Sequence, residues 1–210
     1  MEGESWSPEV RVTNRPGNDW EPAVALDAAG AAWVAYDSYR NGNYDVFLAR
    51  VAGGERQGEE IPVAATANFE ARATVAVDSA GRVWVAFEQG RPNWGTDQGY
   101  ILRNSPAGVP LGAERRPRVF CWENGAWRVP VQPLAAAFPK GDNTYQPHVF
   151  SDGRGSVWVA AKTRTSIPDP FGTGQRGYWE DWLTRYEGDR WAEALMLKDL
   201  IKQRWEASAK

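Results

Sequence analysis

One pattern, Asp-x-x-Gly-x-x-Trp followed by Val-Ala, occurs three times in this chain of 210 residues, at Asp27/Gly30/Trp33, Asp78/Gly81/Trp84 and Asp152/Gly155/Trp158. An apolar run precedes each Asp and an alternating run follows each Gly, so each copy predicts a hairpin. Gly supplies positive φ where the chain reverses. Asp accepts hydrogen bonds from backbone N–H groups two or three residues on. The strand opened by Trp reads Trp-Val-Ala-Tyr, Trp-Val-Ala-Phe or Trp-Val-Ala-Ala, a period-two alternation of large and small side chains. A repeated unit of this kind cannot bury its apolar face alone and stacks on its neighbours. Small antiparallel sheets stacked about one axis make a β-propeller, so the expected fold class is all-β.

Repetition also assigns roles. An active site needs one constellation, whereas a scaffold needs the same brace in every blade, so Asp27, Asp78 and Asp152 read as turn braces. Trp33, Trp84 and Trp158 recur in register and read as packing between blades rather than as carbohydrate platforms. A second repeated element, Glu123-Asn-Gly-Ala-Trp127 and Glu187-Gly-Asp-Arg-Trp191, marks turns into an outermost strand, and Trp6-Ser-Pro-Glu-Val10 resembles that strand without its turn. Three four-stranded blades follow, at about residues 20–63, 69–134 and 145–197. Blade 1 has strands near 22–26, 32–37, 44–51 and 59–63, and the other two carry insertions after their second strand.

Pro8 to Thr13 is then an orphan outer strand of a blade that would precede residue 1. Residues 1–197 then read as a partial, open propeller that either belongs to a longer chain with further blades or another domain, the favoured reading, or closes by assembling with another copy. Leu195, Leu197, Leu200, Ile201 and Trp205 fall near helical spacing, so 198–210 reads as a short amphipathic helix.

Composition narrows the partners. With 24 basic and 27 acidic residues and no basic stripe, nucleic acid is excluded as the main partner. No stretch approaches the roughly 18 apolar residues that a membrane-spanning helix needs. Cys121 is the only cysteine, in the strand Arg118-Val-Phe-Cys-Trp122, where a small buried residue is expected. One Cys and one His, His148, supply too few ligands for zinc. No cofactor, metal or catalytic residue is assigned, and His148 is expected to be packed.

The stretch from Asp19 to Asp45, with Trp20-Glu-Pro-Ala-Val-Ala-Leu-Asp27 and Tyr39-Arg-Asn-Gly-Asn-Tyr-Asp45, and the segment Asn93-Trp-Gly-Thr-Asp97 resemble the propeller portion of large secreted bacterial proteins. Some of those carry a metal-dependent phosphoesterase-like domain downstream. The hairpin is also similar to the Asp-box of sialidase-like propellers, although there Gly follows Asp by two residues instead of three, and to repeats of sensor-kinase propellers. The resemblance implies an extracytoplasmic bacterial module. Sialidase-like enzymes hold a substrate carboxylate with clustered arginines and use a Tyr–Glu nucleophile and an Asp acid. Arg40, Arg72 and Arg164 lie near loops but in no motif that transfers such a role.

In a propeller, the loops from strand two to strand three and between blades emerge on one face, opposite the Asp-Gly hairpins, and function lives on such loops. The candidate face comprises 37–44, 88–100, 162–182 and the links 14–20 and 140–145. Within it, Asn93, Trp94 and Asp97 suit stacking on a sugar while binding its hydroxyls, or anchoring a protein. Asp37, Arg40, Asn43 and Asp45 form a polar hairpin tip, where calcium through Asp37 and Asp45 competes with strand-end hydrogen bonding. Arg164 borders a Gly/Pro-rich stretch, 166–177.

The candidate ligand-binding residues are therefore Asp37, Arg40, Asn43, Glu88, Asn93, Trp94, Asp97 and Arg164. The favoured reading is a non-catalytic scaffold for a glycan or protein, and the alternative is a sialidase-like glycoside hydrolase. The alternative needs two carboxylates across the channel. Asp37 and Glu88 occupy equivalent strand-two ends, and Lys162 departs from the pattern.

Overall fold

The computed structural model describes residues 7–40, 42–92, 115–139, 143–168, 172 and 174–208. Its strands are β1 (Asn18–Leu26), β2 (Ala32–Arg40), β3 (Asn43–Ala52), β4 (Glu55–Ala64), β5 (Asn68–Val77), β6 (Val83–Pro92), β7 (Arg116–Glu123), β8 (Ala126–Arg128), β9 (Asn143–Ser151), β10 (Val157–Pro168), β11 (Gln175–Arg185) and β12 (Leu195–Met196), followed by α1 (Leu197–Ser208). They form three antiparallel four-stranded sheets, β1–β4, β5–β8 and β9–β12, each in sequence order. This is the expected partial propeller. Strands β1, β5 and β9 are the first strands of successive blades and lie next to one another.

Each Asp-Gly hairpin is built alike. Gly30, Gly81 and Gly155 have φ of 79°, 78° and 94°. One oxygen of each Asp accepts the N–H groups two and four residues on: Ala29 and Ala31 at 3.0 and 2.9 Å, Ala80 and Arg82 at 3.0 and 3.0 Å, Arg154 and Ser156 at 2.8 and 3.1 Å. The other oxygen accepts the indole N–H of the repeat Trp, at 3.3 Å for Trp33, 2.8 Å for Trp84 and 3.3 Å for Trp158. Asp therefore braces the turn and fixes the ring on the adjoining strand. The hydrogen bonds hold all three carboxyls below the usual carboxylate range. For Asp78 they do so against its desolvation, which is the largest single influence on it.

Blades stack through two apolar layers. Ala35, Val46, Leu48 and Val63 of blade 1 meet Val75, Val83, Val85 and Phe87 of blade 2, with Trp33 against the same cluster. Trp84, Ala86, Val119 and Cys121 of blade 2 meet Val149, Val157, Val159 and Ala161 of blade 3. Polar groups cross the seams as well: Thr74 Oγ1 donates to the Pro147 carbonyl at 3.0 Å, and the Trp127 indole donates to the Pro62 carbonyl at 2.8 Å. Trp84 is the ring sealed between two complete neighbours, and it meets Tyr186 and Trp191 edge-on.

Three details depart from the sequence reading. Pro8 to Thr13 keeps its orphan position but forms no strand. Val12 packs instead on the face of blade 1 turned away from blade 2, beside Tyr36, Phe47 and Ala49. The last strand of blade 3 is reduced to two residues because Ala194 N–H bonds the Ala137 carbonyl, at 2.9 Å, drawing the chain away from β11. The helix starts at Leu197, directly after β12. Lys198 ties it to Glu180 on β11 at 2.9 Å, and Ile201 is exposed. No helix among the described residues is long and apolar enough to cross a membrane.

Sealing predicts unequal costs. Trp84→Ala is expected to destabilise the chain by about 3–5 kcal/mol. Trp158→Ala should cost clearly less, because no described blade covers the far side of Trp158. Urea denaturation of both variants tests this; equal losses would contradict the stacking.

Candidate functional site

Each blade's first strand carries a β-bulge at an equivalent place, and its residue sits in the left-handed region: Glu21 (φ 43°), Arg72 (φ 57°) and Gln146 (φ 48°). For residues other than glycine this conformation costs of order 1–3 kcal/mol and aims the N–H out of the ladder. The preceding blade supplies the acceptor. Arg72 N–H donates to Asp37 Oδ1 at 3.0 Å, and Gln146 N–H donates to Glu88 Oε1 at 2.5 Å. Asp37 and Glu88 stand at equivalent ends of strand two, four residues past the repeat Trp, as the sequence indicates. What they do there is latch one blade to the next.

Both carboxylates are sealed in, at 3% and 0% exposure. Glu88 also takes Arg72 Nη1 at 3.1 Å and Arg115 Nη1 at 2.8 Å. Asp37 lacks such a pair, and burial pushes its carboxyl up to about 7. Glu70, another buried carboxylate, accepts from Thr66 N–H at 3.1 Å and from Gln89 at 2.9 Å.

Other candidate residues are engaged in the frame. Arg40 forms a two-pronged pair with Glu60, at 2.5 and 3.1 Å, donates to Ser38 Oγ at 2.8 Å, and lies over the Phe47 ring. Asn43 donates to the Thr66 and Asn68 carbonyls at 2.7 and 2.6 Å, tying the end of β3 to the link into blade 2. Asp45 pairs in register with Ser38, one position from the Asp37↔Val46 pair, so Asp37 and Asp45 point to opposite faces of the sheet. That geometry separates the two oxygen donors considered for calcium. Among the described residues no cluster of three His, Cys, Asp or Glu could hold a metal. Arg164 is exposed on β10, with its guanidinium against Gly177. Asn93, Trp94 and Asp97 lie outside the described residues. His148, expected to be packed, is exposed on β9, because no blade among the described residues covers the face it occupies.

At the same end of the blades, opposite the Asp-Gly hairpins, a cavity of about 350 Å³ opens between blades 2 and 3, lined by Arg72, Arg115, Tyr145, Gln146, Lys162 and Trp179. Arg115 lies over the Tyr145 ring with its guanidinium carbon 3.5 Å from the centroid, and Tyr145 meets Trp179 edge-on at 4.7 Å. Among the described residues the lining holds three cations and no carboxylate. Glu88 beneath it offsets about one charge, which leaves a basic, aromatic-walled recess suited to an acidic group on a planar or ring-shaped ligand. Arg115 lies outside the segments that the sequence marked for this face; Tyr145 and Trp179 fall within 140–145 and 162–182 but were not singled out, and Arg72 and Lys162 were named without this role.

No family model matches this chain, and no curated protein matches it. Its site must therefore be read from its own geometry.

The buried carboxyl gives a pH signature. Asp37 holds its proton to about 7 in the folded chain but releases it near 3.8 when unfolded, so its favourable contribution is complete below the lower value and lost as pH rises through the upper one. Asp45, raised to about 6, acts in the same direction. Asp37→Asn should flatten the fall in melting temperature between pH 5 and pH 8. An unchanged slope would mean that Asp37 is not desolvated as described.

Proposed function

We propose that this chain is a non-catalytic propeller scaffold that takes up a glycan or a protein partner on the face where the Arg72/Arg115/Trp179 recess opens, in an extracytoplasmic compartment. The observation that carries the reading is the division of labour among charges. The carboxylates a hydrolase would need at this face, Asp37 and Glu88, spend their lone pairs on the next blade's backbone, while the groups turned to the recess are cations and rings. Such a lining binds and orients; it offers no acid and base pair. Asn93, Trp94 and Asp97, which join β6 to β7 in sequence, and Arg164 on β10 belong to the same proposed surface.

One observation favours the sialidase-like alternative, namely the elevated carboxyl of Asp37, a trait shared with catalytic acids. Its 3% exposure and its absence from the lining of the recess weigh against it.

The test is a binding screen over neutral, carboxylated and sulfated glycans and acidic peptides, repeated with Trp179→Ala. Trp179 is 54% exposed, so its removal should leave the fold intact. Selective retention of acidic ligands, weakened at least about tenfold in the variant, is expected. Binding that ignores the substitution would remove the recess from the proposal. Turnover of a fluorogenic sialoside that disappears in Asp37→Asn would replace the scaffold with the enzyme.

A further inference from the structure

Trp179 has a second cavity beside it. A groove of about 360 Å³ lies between β11 and α1, walled by Tyr178 and Trp179, by Met196 of β12, and by Leu197 and Ile201 of α1. Leu197 and Ile201 stand four residues apart and so share one face of the helix. That face is open, since Ile201 is 62% exposed, and Tyr178 across from it is 44% exposed. Among the described residues, Trp179 alone lines both this groove and the recess between blades 2 and 3. The two cavities are therefore neighbours that share one indole as a wall.

Their chemistry is opposite. The recess presents Arg72, Arg115 and Lys162, whereas the groove carries the acids Glu180 and Asp181. Lys198 is paired to Glu180 at 2.9 Å, which leaves Asp181 as the groove's excess charge. An anionic group is drawn to the recess and repelled from the groove, so a ligand that fills both puts its acid in the first and something else in the second. Met196, Leu197 and Ile201 say what the second part is. Sugar hydroxyls laid on aliphatic walls would lose water without gaining hydrogen-bond partners, while an aliphatic side chain is favoured there. An exposed apolar patch of this kind, continuous with a charged one, fits a polypeptide.

Resting on the reading that the recess takes the ligand's acidic group, we propose that the partner is a protein, held by an extended segment that places an Asp or Glu side chain in the recess and an aliphatic side chain in the groove, with its backbone passing over Trp179. Extended chain advances ~3.3 Å per residue and alternates its side chains between two faces, so the acid and the aliphatic residue stand about two or four positions apart. Because one chain makes both contacts, the second is effectively intramolecular once the first has formed.

Fluorescence anisotropy on the full chain tests this with labelled, end-blocked Gly/Ser peptides that carry Glu alone, Leu alone, or both at those spacings. The peptide with both is expected to bind at least about tenfold more tightly than either single one. Ile201→Ser should erase that advantage and leave the affinity for the Glu-only peptide unchanged, whereas Trp179→Ala should weaken both. Circular dichroism should show the same fold in the two variants, since both side chains are exposed. If the Glu-only peptide or an oligogalacturonate binds as tightly as the peptide with both residues, ignores Ile201→Ser and is lost in Trp179→Ala, the assignment to an extended peptide is overturned and the recess reading stands. If no acidic probe binds, or binding ignores Trp179→Ala, both are overturned.

Discussion

Blade stacking in this chain depends on a hydrogen bond that neither partner could satisfy alone. A left-handed residue in the first strand of one blade points its N–H out of its own sheet, and the strand-two carboxylate of the previous blade accepts it. The strained backbone is tolerable only while the neighbour is present, and the carboxylate is tolerable in the seam only while it has that donor. Local geometry and stacking are thereby made conditional on each other. Apolar side chains supply the bulk of the attraction across each seam, but they are not directional; the latch sets how far along its strands one blade sits against the next.

The same latch decides what chemistry remains at the face near the axis. Carboxylates at the ends of strand two look, in the sequence, like the paired acids of a glycosidase. Folded, they lie under the surface, and Glu88 is further held by Arg72 and Arg115. Each arginine thus serves two masters: one nitrogen neutralises the buried acid while the rest of the group borders the recess. A binding surface whose cations are anchored from beneath loses little side-chain freedom when a ligand arrives, which suits recognition better than turnover.

What the sequence made legible was whatever repeats locally. Asp, Gly and Trp at fixed spacing disclosed the hairpins, the strand order and the rings between blades, because each of those contacts closes within six residues. The bulges were not legible: Glu21, Arg72 and Gln146 share no residue type, and none is glycine or asparagine, the usual markers of positive φ. Arg40 and Asn43 looked free at a hairpin tip because Glu60 and the Thr66 and Asn68 carbonyls that engage them arrive from β4 and the inter-blade link. The recess was hidden for the same reason: Tyr145 on β9 and Trp179 on β11 meet across β10, and Arg115 reaches them only after blades 2 and 3 stack. His148 shows the converse error, a strand residue assumed to be covered by a neighbour that the described fold does not contain.

Cys121 lies in the seam between blades 2 and 3, where burial pushes its thiol up to about 12. At neutral pH it carries almost no thiolate and is only 4% exposed, so alkylating reagents and mild oxidants should react with it slowly while the seam is shut. The lone sulfur is thus a native reporter: its rate of labelling clocks how often those two sheets part, without any foreign probe.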